Sequence, residues 1–282
     1  MAHPDTYFLL VVFLLGLVVG SFLNVVIHRL PLQMQASWRR ESLDFLGMPP
    51  EETQPLNLAF PASHCPQCHT PLKPWHNIPV LSYLILRGKC AHCATRISPQ
   101  YPLVELTAAL LATVVLVNLG VTLTAALAIV FTWVLLVLTC IDLRHQLLPD
   151  AVTLPLLWLG LLVNTQGVFT DLHSAVVGGA AGYLVLWLVF WAFKLLTGKE
   201  GMGYGDFKLL AALGAWLGWQ MLPLILLLST AVGAAVGLAA IALRGRDRHI
   251  PMAFGPYLAI AGWIALMWGD AIVTAYLGSL GR

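Results

Sequence analysis

The feature that most constrains this chain is a succession of long apolar runs without charged side chains. The first run, residues 7–27, contains no Asp, Glu, Lys or Arg. A run of 18 or more such residues is long enough to cross the hydrocarbon core of a bilayer as a helix. Only 10% of the residues are charged, against about 25% in an average soluble domain. The sequence therefore predicts an all-α polytopic membrane protein, with the lipid bilayer as its surroundings.

The first run could instead be a cleavable signal peptide, which carries a basic segment before its apolar stretch. Here the residues before Tyr7 include Asp5 and contain neither Lys nor Arg. We therefore expect this run to remain as the first transmembrane helix.

Seven further apolar runs bring the expected number of transmembrane helices to about eight, with seven or nine also open. They cover residues 102–119, 123–141, 151–169, 173–196, 207–219, 221–243 and 254–277. The run 207–219 is short for a full crossing, so it could tilt or stop partway through the membrane.

The long polar stretch between the first and second apolar runs separates the chain into three expected domains. Residues 1–29 form the first transmembrane helix, residues 30–101 form a loop domain, and residues 102–282 form the remaining membrane domain.

Fourteen of the 15 Lys and Arg residues fall on one side of the membrane when the eight runs alternate in direction. Because Lys and Arg concentrate in cytoplasmic loops, the loop domain is predicted to be cytoplasmic. With a net charge of +2 and no basic patch interleaved with aromatic residues, we expect no nucleic-acid partner.

Two CxxC motifs lie in the loop domain, Cys65 with Cys68 and Cys90 with Cys93, separated by 21 residues. This is slightly longer than the spacing of about 15 to 20 residues typical of zinc ribbons. Four thiolates suit a tetrahedral structural zinc site, and metal binding would supply the folding energy that so polar a loop lacks. Disulfides are the alternative, although a cytoplasmic loop is a reducing place, and a redox role would need only one CxxC. Cys140 is expected to be a packed small hydrophobe.

Two aspartates, Asp142 and Asp206, stand at the ends of apolar runs on the predicted cytoplasmic side. Ionisable residues at the membrane are functional candidates, and two carboxylates brought together share a proton, as water-mediated peptide hydrolysis requires. Glycines before Asp206 would let a substrate strand approach. Asp206 could also be a helix N-cap, and Asp142 a loop residue paired with Arg144 or His145.

Two other carboxylates near the runs receive structural interpretations. Asp150 is predicted to be an N-cap. Glu105 is either a first-turn acid that complements the helix dipole or a group that meets a basic ligand.

Five segments resemble bacterial type IV prepilin peptidases, the GxGD family of membrane aspartic proteases. They are residues 20–29 (GSFLNVVIHR), 77–79 (NIP), 101–105 (YPLVE), 148–150 (LPD) and 203–208 (GYGDFK). They occur in order over nearly the whole chain, together with the paired CxxC motifs. The resemblance implies that Asp142 and Asp206 are the catalytic residues of a transmembrane peptidase domain over residues 102–282. It also implies that Cys65, Cys68, Cys90 and Cys93 are the zinc ligands.

The resemblance further implies an enzyme of the bacterial inner membrane with its active site facing the cytoplasm. Its substrates would be type IV prepilins and type II secretion pseudopilins, cut after a glycine that ends the basic leader. It would then methylate the new N-terminal amine with S-adenosylmethionine as methyl donor, although no glycine-rich nucleotide motif is evident.

Two other classes of function remain as alternatives on the residues alone. A non-enzymatic zinc-containing scaffold for pilus or secretion-system assembly explains the cysteines and the spans, but leaves the segment 203–206 without a role. A transporter normally carries charges near the bilayer midplane, where these runs have none.

Overall fold

The computed structural model describes residues 5–49, 57–199, 201–244 and 253–280. Over these residues the chain forms nine α-helices and two short 3-10 helices, and no β-strand. The 3-10 helices are Pro74–Asn77 and Trp219–Met221. The α-helices are α1 (Thr6–Phe45), α2 (Leu81–Ile85), α3 (Gln100–Leu119), α4 (Leu123–His145), α5 (Asp150–Asn164), α6 (Leu172–Thr197), α7 (Tyr204–Leu217), α8 (Leu222–Arg244) and α9 (Gly255–Leu280).

The prediction of an all-α, multi-pass membrane protein is confirmed. Among the described residues, six helices are long and apolar enough to cross a membrane, namely α1, α3, α4, α6, α8 (with the 3-10 turn before it) and α9. The shorter α5 and α7 coincide with the remaining two apolar runs. Each of the eight predicted runs thus corresponds to one helix.

Two helix ends differ from the apolar runs. Helix α1 continues to Phe45 and contains Pro31, although its apolar run ends at residue 27. Apolarity reports where lipid can surround the chain, whereas a helix continues wherever its backbone hydrogen bonds can form. Helix α5 ends at Asn164 rather than near Phe169. The buried side chain of Asn164 accepts hydrogen bonds from the backbone amides of Phe169 and Thr170, which turns the chain out of the helix.

The chain divides into two compact units, residues 1–125 and 126–282. In the first unit, α1 packs against α3 through small residues. A Cβ atom placed on Gly20 would lie 2.6 Å from the Cα of Glu105, and one on Gly16 would lie 2.5 Å from the Cα of Ala109. These glycines therefore allow the two backbones to approach closely, the usual way in which membrane helices associate.

Two buried polar side chains of α1 tie the helix to the segments that follow it. The Asn24 amide donates a hydrogen bond to the carbonyl of Tyr101 at 3.0 Å. The Arg29 guanidinium donates to the carbonyls of Asn57, Leu58 and Pro61 at 2.6 to 3.3 Å. Because Arg29 is only 9% exposed, these carbonyls replace the water that its charge would otherwise require. The polar end of α1 therefore anchors the loop.

Helix α7 is the central element of the second unit. Its residues from Leu209 to Leu217 are all buried, as expected for a helix that is apolar on every side. The indole of Trp216 donates to the carbonyl of Leu156 on α5 at 2.8 Å. Gly178 on α6 and Gly214 on α7 meet backbone to backbone, with no room for a Cβ on either residue. Helices α5 and α6 thus hold α7 in one position, and its first turn carries Asp206.

Candidate active site and metal centre

Asp142 lies in the last turn of α4 and is 5% exposed. It is part of the helix, and not of the loop that follows. Its carboxylate faces the backbone amide of Gly255 at the start of α9. The oxygen Oδ2 is buried and has no hydrogen-bond partner among the described residues. Since buried carboxylate oxygens are rarely left without a partner, this oxygen is available to a ligand or a water molecule.

Asp206 lies in the first turn of α7 and is 7% exposed. The N-cap of this helix is Gly203, so Asp206 stands three residues inside and does not cap the helix. The backbone amide of Gly203 faces its carboxylate, which resembles the third-position acid of a capping box. A carboxylate at this end of a helix is also favoured by the helix dipole.

The structure brings Asp142 and Asp206 together, close enough for the charge of Asp142 to act on Asp206. Leu148, in the connection between α4 and α5, lies next to both. A Cβ atom on Gly205 would be 2.8 Å from the Cβ of Leu148, and one on Gly255 would be 3.2 Å from its Cδ1. Glycine at 205 therefore lets the first turn of α7 approach the end of α4.

Gly255 closes the site on the side of α9. A Cβ atom there would be 2.6 Å from Oδ2 of Asp142, so no larger residue fits without moving the carboxylate. Sequence reasoning gave neither Gly255 nor Leu148 a place at the site, although Leu148 belongs to one of the segments that carry the resemblance. The only signal for Gly255 is the Gly-Pro pair that begins the last apolar run, and it does not indicate what the glycine contacts.

Asp150 is not an N-cap, and that interpretation is wrong. The cap of α5 is Pro149, and Asp150 is the first residue of the helix. Its two carboxylate oxygens each accept a hydrogen bond from Nζ of Lys208 at 2.7 Å. The Asp150 side chain therefore links the start of α5 to α7.

Glu105 is also not a first-turn acid, because α3 begins at Gln100 and has no acid in its first turn. Its buried carboxylate accepts a hydrogen bond from the backbone amide of Val80 at 2.8 Å. Val80 has a φ of 60°, an unusual value for a β-branched residue. Glu105 thus stabilises a turn of the loop within the first unit.

The four predicted zinc ligands, Cys65, Cys68, Cys90 and Cys93, form one cluster. Their Sγ atoms all lie within 4.8 Å of one another, and those of Cys65 and Cys93 are 3.7 Å apart. Four sulfurs bound tetrahedrally at about 2.3 Å from a zinc ion stand about 3.8 Å apart. None of the four is in a disulfide. The cluster therefore fits a tetrahedral metal ion.

The two CxxC motifs adopt the same turn. In each, the first cysteine donates its backbone amide to the carbonyl of a threonine five residues on, Thr70 or Thr95, at 3.0 and 2.8 Å. In each, the fourth residue after the first cysteine, His69 or Ala94, has a positive φ. The repeated turn points the four sulfurs at a common centre.

The two threonines also lower the pKa of two of the cysteine thiols. The hydroxyl and backbone of Thr95 lower the pKa of Cys93 to about 6, and those of Thr70 lower the pKa of Cys68. The thiolate is the form of cysteine that binds metal. These two ligands are thus prepared for a cation near neutral pH.

The fold and the site define a multi-pass membrane protein with a buried pair of aspartates and a four-cysteine cluster. Residues 14–119 match the model of the bacterial peptidase A24 N-terminal domain. Residues 129–238 match that of the type IV leader peptidase family. The chain belongs to the type IV leader peptidase family, so the resemblance seen in the sequence is confirmed.

Curated relatives match over nearly the full length. A prepilin leader peptidase/N-methyltransferase of Pseudomonas aeruginosa is 55% identical over 277 residues, which cover 98% of this chain and 95% of the relative. One of Aeromonas hydrophila is 56% identical over 98% of this chain and 97% of the relative. One of Burkholderia pseudomallei is 51% identical over 90% and 84%. No solved structure matches the chain significantly.

Proposed function

We propose that this protein is a membrane aspartic endopeptidase that removes the leader from type IV prepilins and type II secretion pseudopilins, and methylates the new N-terminus. Asp142 and Asp206 are its catalytic residues. The observation that carries the proposal is the pairing of these two buried carboxylates, one with an unpartnered oxygen, in a chain whose relatives are named for this activity. A non-enzymatic scaffold would not need such a pair.

In the cleavage reaction, one carboxylate is ionised and the other keeps a proton, because two adjacent charges repel each other. The ionised group takes a proton from a water molecule, which attacks the carbonyl carbon of the glycine that ends the leader. The protonated group donates to the carbonyl oxygen. The peptide C–N bond then breaks, and a proton passes to the nitrogen that leaves. The two groups titrate as a pair.

The site fits the expected position of the scissile bond. Asp142 is at the end of α4 and Asp206 at the start of α7, and the distribution of Lys and Arg supports a cytoplasmic location for this side. A prepilin carries its basic leader in front of an apolar helix, so its cleavage point lies at this interface. We place the protein in the bacterial inner membrane with its active site facing the cytoplasm.

S-adenosylmethionine supplies the methyl group for the second reaction, which modifies the amine released by cleavage. Cys65, Cys68, Cys90 and Cys93 hold a structural Zn²⁺. We retain the three domains as residues 1–29, 30–101 and 102–282, with the zinc site in the second and both aspartates in the third.

The full-length protein in detergent, incubated with a prepilin, tests this function. We expect the substrate to lose its leader after the glycine, as measured by mass spectrometry. With labelled S-adenosylmethionine present, the label should appear on the new N-terminal residue. An intact substrate would contradict the peptidase, whereas cleavage without label would contradict only the methyl transfer.

Replacing Gly255 by Ala should slow cleavage because the new methyl group displaces the Asp142 carboxylate. A misplacement of about 1 Å in a reacting group reduces the rate about 100-fold, and we expect a loss of about 10- to 100-fold in kcat. Gly278→Ala, in the same helix with nothing within 4 Å of the new Cβ, is the matched control and should keep its activity. Equal rates for the two variants would show that the close approach at Gly255 does not matter.

A further inference from the structure

We propose that the ion pair between Asp150 and Lys208 is a positioning element of the active site, which holds the first turns of α7 against the start of α5 and so keeps Asp206 opposite Asp142. This inference rests on the proposed function. It gives a role to two residues that act through the aspartates and do not touch the substrate.

The ion pair joins distant parts of the chain at the site. Nζ of Lys208 lies 2.7 Å from both carboxylate oxygens of Asp150, and the two residues are 58 positions apart. Asp150 begins α5, and Lys208 follows Asp206 by two residues in α7. The pair therefore connects the two helices close to the catalytic carboxylate.

A second contact joins the same segment to α7 one residue before Asp206. Leu148 lies against Gly205, where a Cβ atom would be 2.8 Å from the Cβ of Leu148. Leu148 and Asp150 belong to one segment, and they meet α7 at positions 205 and 208, which are three residues apart and lie on one face of the helix next to Asp206. Displacing this segment would therefore displace the aspartate.

The same segment is fixed to Asp142 at its other end. Only residues 146–149 separate α4 from α5. The backbone amide of Gln146 donates to the carbonyl of Asp142 at 2.9 Å, and Pro149 has its φ fixed by its ring. A short, restrained connection thus runs from one catalytic carboxylate to the ion pair that holds the other.

The ion pair adds a contact toward α5 at the start of α7. The segment before it is rich in glycine, and a Cβ on Gly203 would meet nothing within 4 Å. Tyr204 packs against Phe190, with ring centroids 5.2 Å apart, and this contact holds the turn toward α6.

Because the ion pair is partly exposed, its role in positioning can be distinguished from a role in stability. The side chains of Lys208 and Asp150 are 29% and 54% exposed, and ion pairs in such positions contribute little to stability. A carboxylate moved by about 1 Å, in contrast, slows the reaction about 100-fold. A positioning role therefore predicts a loss of kcat with almost no loss of thermal stability.

A double-mutant cycle on the full-length protein tests the proposal, with prepilin cleavage and thermal unfolding measured for each variant. We expect Asp150→Asn and Lys208→Gln each to lower kcat by about 10- to 100-fold, with KM changed less than about twofold. We expect Tm to change by no more than about 3 °C. Because the two residues act as one unit, Asp150→Asn combined with Lys208→Gln should be no slower than either single variant. Lys208→Arg, which retains the cation, should recover most of the activity.

Lys199→Gln, which removes an exposed cation just beyond α6, is the control and should cleave at the unmodified rate. Losses that add up in the double variant, or an unchanged kcat, would overturn the proposal. A raised KM with normal kcat in Asp150→Asn would instead make Asp150 a binding group for the basic leader. A fall in Tm with normal kcat would leave the pair with a structural role only. If the unmodified protein does not cleave, the proposed function fails and this inference fails with it.

Discussion

Asp206→Asn is expected to abolish prepilin cleavage while leaving the protein folded in the membrane. Asparagine has the same shape as aspartate but cannot take a proton from water or donate one as a carboxylic acid, so kcat should fall by at least about a thousandfold. Asp142→Asn should have the same effect. Because the two groups act together, the double variant should be no slower than either single one.

The thermal stability of these variants should not fall with their activity. Each substitution removes one of two buried carboxylates that interact electrostatically, so the Tm should be unchanged or higher. Asp171→Ala is the control, since the carboxylate of Asp171 accepts a hydrogen bond from the amide of Ser174 and caps α6. That variant should lose about 1 kcal/mol of stability and keep its kcat. More than a tenth of the normal rate in Asp206→Asn would remove this residue from the mechanism.

Loss of the zinc ion that we propose for the four cysteines is expected to unfold the loop between α1 and α3. Among residues 57–98 with described side chains, only Cys65 and Gly88 are buried, and large side chains such as Phe60 and Ile85 are 68% and 78% exposed. Such a segment has almost no apolar core. Binding of a structural zinc ion provides about 10 to 16 kcal/mol in small zinc domains.

The measurement combines metal analysis with limited proteolysis. The purified protein should contain one zinc ion per chain, and Cys65→Ser or Cys90→Ser should reduce it to near zero. The loop of these variants should then be cut by protease within residues 57–98, while the helices remain protected. Cys140→Ser is the matched control, because this cysteine lies in α4, outside the cluster, and its variant should keep the metal. A zinc-free protein with a resistant loop would show that the metal does not hold the fold.

Much of the fold follows from local patterns. The eight apolar runs predict eight helices, because the cost of placing charged groups in lipid applies to every residue of a span, whatever its neighbours. The two CxxC motifs likewise indicate a four-sulfur cluster from local sequence alone, because each motif forms its own turn.

Helix ends were less predictable, because they depend on particular contacts. Helix α1 continues past Pro31 to Phe45, where the sequence is already polar. Asn164, which accepts from the amides that turn the chain at the end of α5, is itself held by donating its side-chain amide to the carbonyls of Ala215 and Trp216 on α7. Such partners are more than 50 residues away in sequence, and no local pattern identifies them.

The sequence by itself determined that this is a multi-pass membrane protein of the leader peptidase type, and it singled out Asp142 and Asp206. Only the tertiary structure decided that both carboxylates are buried together, that Gly255 and Leu148 enclose them, and that Asp150 binds Lys208. The physical reason is the distance along the chain over which each effect acts. Membrane insertion and ligand spacing act along the chain, whereas the environment of a carboxylate is created by helices that meet only after folding.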